Sequence, residues 1–423
     1  MNTIPSFEDS GKVMGPADGV EEIPKDGWIS VSATLNETIK DICIDNLKSM
    51  YIELLTRFPQ FRLKLSLHNG FPHWKFAKNE EILFEDMVKT VKTYDDKISE
   101  NYNLEEHPCW RFWILDENNK TRFRFSASHA LVDGKSIFNF FELFVSLSRN
   151  QTFTQLFLDA EKEKFPLINS FEKEKLFNEE VNKNIHPPES WNKFIEINLY
   201  PLPELPSYSI NTQWDFDYES ISKFCRKYNV TCQSILMAIY SQALRNYHKG
   251  KIDNIIIGCY TAVNTRKTKF ATDKHKKSVF FPGAGLLMVF IEKQKDILED
   301  ILHCKKKLTE GLNTVEPALS YIYQANLVDK NTFKYNFPKN FPITYKYNLF
   351  VSSNLGKSCV GMDNLTWRST SPVDENGYWP NLYCFNNGVV FSIVLVHPYN
   401  IDNDFINSII EQIKVFIDFI KNN

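Results

Sequence analysis

A chain of 423 residues exceeds one ordinary hydrophobic core, which points to two subdomains. Hydrophobic residues make up 43% and aromatics 14%, ample apolar surface for globular cores, and this excludes global disorder. The formal net charge of −3, from 49 basic against 52 acidic side chains, selects neither nucleic acid nor an anionic membrane, so a small or neutral partner is expected.

Residues 1–25 read as a polar leader with Pro5, Pro16 and Pro24, unlike the basic start and apolar core of a signal sequence. A strand is predicted over 28–33, then a helix over 39–58 whose apolar face carries Ile42, Leu47, Tyr51 and Leu54 and which Pro59 ends. Residues 61–67 alternate as a strand, and Asn69-Gly70 signals a tight turn into a second strand at 73–76. Another strand pair is predicted at 110–115 and 121–128. The segment Asp133-Gly134-Lys135-Ser136 then opens a helix with Ile137, Phe140, Phe141, Phe144 and Leu147 on one face.

Residues 26–150 are thus expected to form an N-terminal subdomain. The Lys-, Glu-, Asn- and Pro-rich stretch 151–206 reads as a linker or crossover, and 207–423 as a C-terminal subdomain. In the latter, helices are predicted over 219–227, 232–247 and 404–420, with strands over 255–263, 285–291, 347–352 and 389–396. The longest apolar stretches, 285–291 and 389–396, fall short of the ~20 residues that span a bilayer, so a soluble cytoplasmic protein is expected. The eight cysteines form no CxxC pair and have no metal-ligand spacing with histidine, and read as reduced, mostly buried thiols.

The sharpest chemical feature is Ser128-His129-Ala130-Leu131-Val132-Asp133-Gly134, a histidine at the end of an alternating strand with an aspartate four residues on and a glycine beside it. A base must be reachable and neutral near pH 7, and the imidazole reference pKa of about 6.5 suits that work. His129 is the candidate general base. Asp133 is assigned a structural role in the turn, and Gly134 lets the chain turn into the helix. The plainer readings stay open: His129 as a hydrogen-bonded core residue, and Asp133 as a helix cap. No phosphate-binding glycine loop, metal cluster or serine nucleophile elbow competes with this site.

These residues resemble the chloramphenicol acetyltransferase-like superfamily of CoA-dependent acyltransferases and condensation domains. Further segments agree in order: Arg57-Phe58-Pro59-Gln60-Phe61-Arg62, Pro108-Cys109-Trp110-Arg111-Phe112, Val230-Thr231, Val263-Asn264-Thr265-Arg266 and Ser353-Asn354-Leu355-Gly356. The likeness spans roughly residues 28 to 420, and of these elements only HxxxDG is specific alone. It implies an α/β fold of two chloramphenicol acetyltransferase-like subdomains, each a two-layer sandwich, with a tunnel and the active site at their interface. It also implies an acyl group moved from acyl-CoA to a hydroxyl, or to an amine, in a direct ternary complex.

By the same resemblance Asp133 forms a salt bridge with Arg266 away from the substrate. The alternative is that Arg266 belongs to a solvated basic loop with Lys267, Lys269, Lys274, Lys276 and Lys277, a loop that could instead meet the phosphates of coenzyme A. Ser353 or Asn354 could aim a donor at the developing oxyanion or touch substrate, or could only shape a strand end. The chain lacks a DFGWG element and has Ser128 where condensation domains carry a first histidine, so alcohol acetyltransferase-like members are the nearest match. No permanently bound cofactor is implied. The expected partners are acyl-CoA and a small alcohol or amine, with an acyl carrier protein acting in trans, or a silent ligand-binding member of the fold, as alternatives; a monomer is favoured.

Overall fold

The computed structural model describes residues 6–16, 28–92 apart from 36, 39–41, 43 and 69–70, 106–149 apart from 118–119, 209–314 apart from 250, 252, 255 and 278–282, 316–318, 349–370, 380–398 and 402–423. The expected linker at 151–206 and the Asn69-Gly70 turn lie outside these residues. In chain order the strands are β1 (Val13–Pro16), β2 (Trp28–Leu35), β3 (Leu63–His68), β4 (Phe71–Phe76), β5 (Val88–Val91), β6 (Trp110–Glu117), β7 (Lys120–Ser128), β8 (Ser209–Asp217), β9 (Ile257–Asn264), β10 (Ala284–Ile291), β11 (Leu349–Lys357), β12 (Asp363–Thr370), β13 (Asn381–Asn386) and β14 (Val390–Pro398). The helices are α1 (Ile44–Arg57), α2 (Phe84–Met87), α3 (Gly134–Ser148), α4 (Tyr218–Tyr228), α5 (Cys232–Tyr247), α6 (Asp273–Lys277), α7 (Ile297–Leu312) and α8 (Asn403–Lys421).

The strands form three sheets, ordered β1-β4-β3, β12-β2-β7-β6-β5 and β10-β9-β11-β13-β14-β8. Two apolar cores follow. One packs α1 and α3 on the five-stranded sheet through side chains such as Leu47, Leu54, Phe125, Phe140 and Phe144. The other packs α4, α5, α7 and α8 on the six-stranded sheet through Ile235, Ile239, Ile301, Ile409 and Phe416. Side-chain alternation shows how the cores meet: on β14, Ile393 and Leu395 enter the second core while Val394 and Val396 enter the first. A strand buried on both faces is apolar on both, which is why 393–396 is a continuous apolar run.

Three sequence expectations change. The first helix starts at Ile44, and Ile42 is buried in the bend before it. Phe61 and Arg62 sit in the 3-10 turn Pro59–Arg62, so β3 begins at Leu63. Val13–Pro16, within the polar leader, pairs with β4. Periodicity also missed β5, β8, β12, β13 and α7, although the α7 spacing of Ile297, Ile301, Cys304 and Leu308 is helical.

β12 lies in the 207–423 stretch yet pairs antiparallel with β2 as the edge of the five-stranded sheet. A free sheet edge offers unpaired backbone groups, and here side chains of β8 occupy them. Gln213 donates to the Leu365 carbonyl at 2.8 Å and accepts the Trp367 N–H at 3.4 Å, while Asn211 donates to the Ser369 carbonyl at 3.2 Å and accepts its N–H at 3.0 Å. Two amide side chains thus fasten the edge of one sheet to the edge of the other. Gln213→Ala is expected to lower stability by about 1–3 kcal/mol in urea denaturation and to speed hydrogen exchange at the Trp367 amide; an unchanged exchange rate there would show that the amide bridge does not hold the edge.

Candidate active site

His129 lies in the turn that leaves β7, where the Leu131 N–H donates to the Ser128 carbonyl at 3.0 Å and the Ala130 N–H to Ser128 Oγ at 3.2 Å. The side chain is half-buried. Its Nδ1 is buried and has no hydrogen-bond partner among the described residues. Burial holds the imidazole below its ordinary pKa, against the backbone carbonyls of His129 and Val132 and the charge of Asp133, which pull the other way. Burial therefore favours the uncharged ring at pH 7.

Asp133 is the N-cap of α3, and its carboxylate meets four donors. Oδ1 accepts the Lys135 N–H at 3.1 Å and the Ser136 N–H at 2.7 Å, while Oδ2 accepts Arg266 Nη1 at 3.0 Å and the Gly283 N–H at 2.7 Å. Burial alone would raise this carboxyl's pKa, but the Arg266 guanidinium, Ser136 and Gly283 outweigh it and hold it below the usual carboxylate range. Arg266 is buried and paired with Asp133, as the resemblance implied, and not in the solvated loop of the alternative reading; it also reaches Ser136 Oγ at 3.1 Å and Asn264 Oδ1 at 3.3 Å. Asp133 therefore both caps the helix and pairs with Arg266.

The reason for Gly134 differs from the turn role read in the sequence. It is the first residue of α3, its backbone is outside the left-handed region, and a Cβ there would sit 2.4 Å from Leu355 Cδ2 and 3.6 Å from Trp367 Cη2. The position has no room for a side chain because Leu355 of β11 presses on the helix start, with Trp367 of β12 in ordinary contact beside it. Gly283, which sequence reasoning passed over, is constrained in the same way: a Cβ would lie 2.5 Å from Arg266 Cζ.

Ser353 and Asn354 part company. Ser352, buried, bonds Gln233 Nε2 on the α5 side of the sheet, so Ser353 points to the opposite face, beside its β13 partner Tyr383, whose ring packs on Trp367 at 5.6 Å. That is the face on which Leu355 meets Gly134. Asn354 is exposed and its Oδ1 accepts the Gly356 N–H at 2.9 Å, which holds the irregular strand end. Of the basic loop, Lys267, Lys269 and Lys276 are exposed, with Lys276 paired to Asp273 at 3.2 Å; the side chains of Lys274 and Lys277 lie outside the described ones.

No group of three or more potential metal ligands occurs among the described residues, and none of their helices is long and apolar enough to cross a membrane. Because the Asp133 pKa is depressed on folding, its contribution to stability is complete above the unfolded value of about 4 and is lost as pH falls through the folded one. Asp133→Asn is expected to cost about 3–5 kcal/mol, as removal of one partner of a buried pair does. It should also flatten the acid limb of stability against pH, read by urea melts at pH 3 to 7; an unaltered acid limb would exclude the carboxylate as its source.

No family model matches the sequence, and no curated protein matches it. Solved structures do. Polyketide synthase associated protein 5 from Mycobacterium tuberculosis aligns with a TM-score of 0.63 at 12% identity over 97% of this chain and 100% of that one. The epimerization domain from the third module of tyrocidine synthetase B gives 0.64 at 10% over 99% and 98%, and PapA2 acyl transferase 0.59 at 10% over 97% and 93%. At such identities the likeness is one of fold, and the chain has the paired, chloramphenicol acetyltransferase-like fold that condensation domains and CoA-dependent acyltransferases share.

Proposed function

We propose that the chain is an acyltransferase that moves an acyl group from a thioester donor, acyl-CoA, to the hydroxyl of a small alcohol, or to an amine. The observation that carries this reading is His129 itself: half-buried in the turn after β7, favoured in its neutral form by burial, with Nδ1 buried, four residues before the carboxylate that ties this turn to Arg266. Nε2 takes the acceptor proton as the oxygen attacks the thioester carbonyl, then returns it to the departing thiolate. No covalent acyl-enzyme is needed, since both substrates can meet at one imidazole. Charge that builds on the carbonyl oxygen needs a donor, and Ser353, on the strand face turned to the motif, is the side chain assigned to it. Lys267 and Lys269, exposed after Arg266, are the candidates for the phosphates of coenzyme A.

A carrier-bound thioester is the second reading, favoured by the same fold in an epimerization domain from a synthetase module. Thiol release from acetyl-CoA and longer acyl-CoAs, with a mixed panel of alcohols and amines, separates the two. Acceptor-dependent release should fall by about 10²–10⁴ in His129→Ala, the range for a lost general base. The acid limb of kcat/KM should lie below the usual imidazole value of about 6.5. Equal traces for wild type and variant would move the donor to a carrier protein or remove catalysis altogether.

A further inference from the structure

A second histidine stands behind the motif. His275, on α6, is fully buried, and its Nε2 lies 2.8 Å from Thr265 Oγ1. The Thr265 hydroxyl proton is already committed: Oγ1 donates to the Gly283 carbonyl at 2.6 Å, and the Thr265 N–H donates to the same oxygen at 2.8 Å. A carbonyl cannot donate, so the hydroxyl can only accept from His275, and the imidazole must carry its proton on Nε2. The bonds then run in one direction, from His275 Nε2–H to Thr265 Oγ1, from Thr265 Oγ1–H to the Gly283 carbonyl, and separately from the Gly283 N–H to Asp133 Oδ2.

Two donors from one residue hold Gly283 by its carbonyl, next to the N–H that it gives to Asp133, so the residue is restrained on both of its peptide planes. Space is tight as well. A Cβ on Gly285 would lie 2.7 Å from Thr265 Cγ2 and 2.2 Å from the Pro317 carbonyl oxygen, so only glycine lets this strand start lie so close to Thr265. We propose that His275 and Thr265 are positioning residues for the acyl-transfer base: by clamping Gly283 they set the fourth donor on Asp133, and through Asp133 the turn that presents His129. This rests on the acyltransferase reading for its kinetic consequence but not for its physical one.

The chain of bonds requires only a proton on Nε2, and the surroundings of His275 keep the rest of the ring uncharged. Burial, reinforced by the Arg266 charge and only partly offset by Asp133, pushes the imidazole down to about 3, so the device does not switch in any ordinary working range. His275 is thereby a fixed donor rather than a sensor.

The test uses Thr265→Val, which keeps the shape and removes the hydroxyl, and His275→Leu, with Thr265→Ser and His275→Gln as variants that keep a hydroxyl and an N–H donor. Misplacement of a catalytic group by about 1 Å costs on the order of 10² in rate, so Thr265→Val and His275→Leu should lower kcat by about 10- to 100-fold with KM for the thioester little changed. The two conservative variants should recover most of that loss. If the pair acts through Asp133, adding His275→Leu to Asp133→Asn should lower kcat little further. An activity-independent readout is the titration of His129 followed by NMR of protein labelled with ¹⁵N-histidine. It should shift in Thr265→Val and stay in Thr265→Ser. A folded Thr265→Val protein whose His129 titrates as in wild type would overturn the proposal even if no substrate had been found, whereas absent acyl transfer with a shifted His129 titration would overturn the functional reading alone.

Discussion

The carboxylate of Asp133 is the point on which the two halves of this protein converge. Its four donors come from three separate segments: the first turn of α3, the 3-10 turn after β9, and the entrance to β10. A buried carboxylate deprived of one donor carries a desolvation cost that the rest must absorb, so the three segments can be rearranged only together. α3 belongs to the first core, while β9 and β10 belong to the second sheet. One side chain therefore sets the distance between the motif turn and the opposite half.

The other bridges act around that point. Leu355 and Trp367 press on Gly134 from β11 and β12, and the Asn211 and Gln213 amides lock β8 onto the β12 edge. Beneath the motif the aromatic stack is dense: Trp110 over Phe125 at 5.8 Å, Phe61 against Phe140 at 4.5 Å, Phe112 against Phe144 at 4.8 Å. Edge-to-face and offset ring pairs of this kind stiffen the seat of β7 and α3. The strand that ends in His129 and the helix that begins after Asp133 are thus held by one core, and the turn between them is held by the other half.

Much of this was legible in the sequence because it is local. The strand before His129, the cap at Asp133, the span of α5 and the alternation of β6 and β7 all follow from side-chain spacing that a short window contains. What escaped is non-local. β12 reads as a polar, irregular stretch because its pairing partner β2 lies more than 300 residues earlier, and Gly283 looks like any loop glycine until the Arg266 guanidinium is seen against it. His275 sat inside a lysine-rich run that reads as surface, and only the fold buries it. For Asn354 the sequence leaves a site contact and a strand-end role open, and the exposed side chain is seen to accept the Gly356 N–H at the irregular strand end.

The arrangement also explains how two ionisable groups four residues apart divide their work. In a serine-hydrolase triad the carboxylate bonds the imidazole, fixes its tautomer and stabilises its charged form. Here every oxygen direction on Asp133 is taken by Lys135, Ser136, Arg266 or Gly283, so the carboxylate has no acceptor site left for the imidazole. Both pKa values are lowered, but with opposite results: Asp133 stays charged and spends its charge on structure, while His129 stays neutral and available. An imidazole that has no carboxylate bonded to it and is desolvated by burial holds a proton weakly, which would suit the proposed step, in which the proton is handed on to a leaving thiolate.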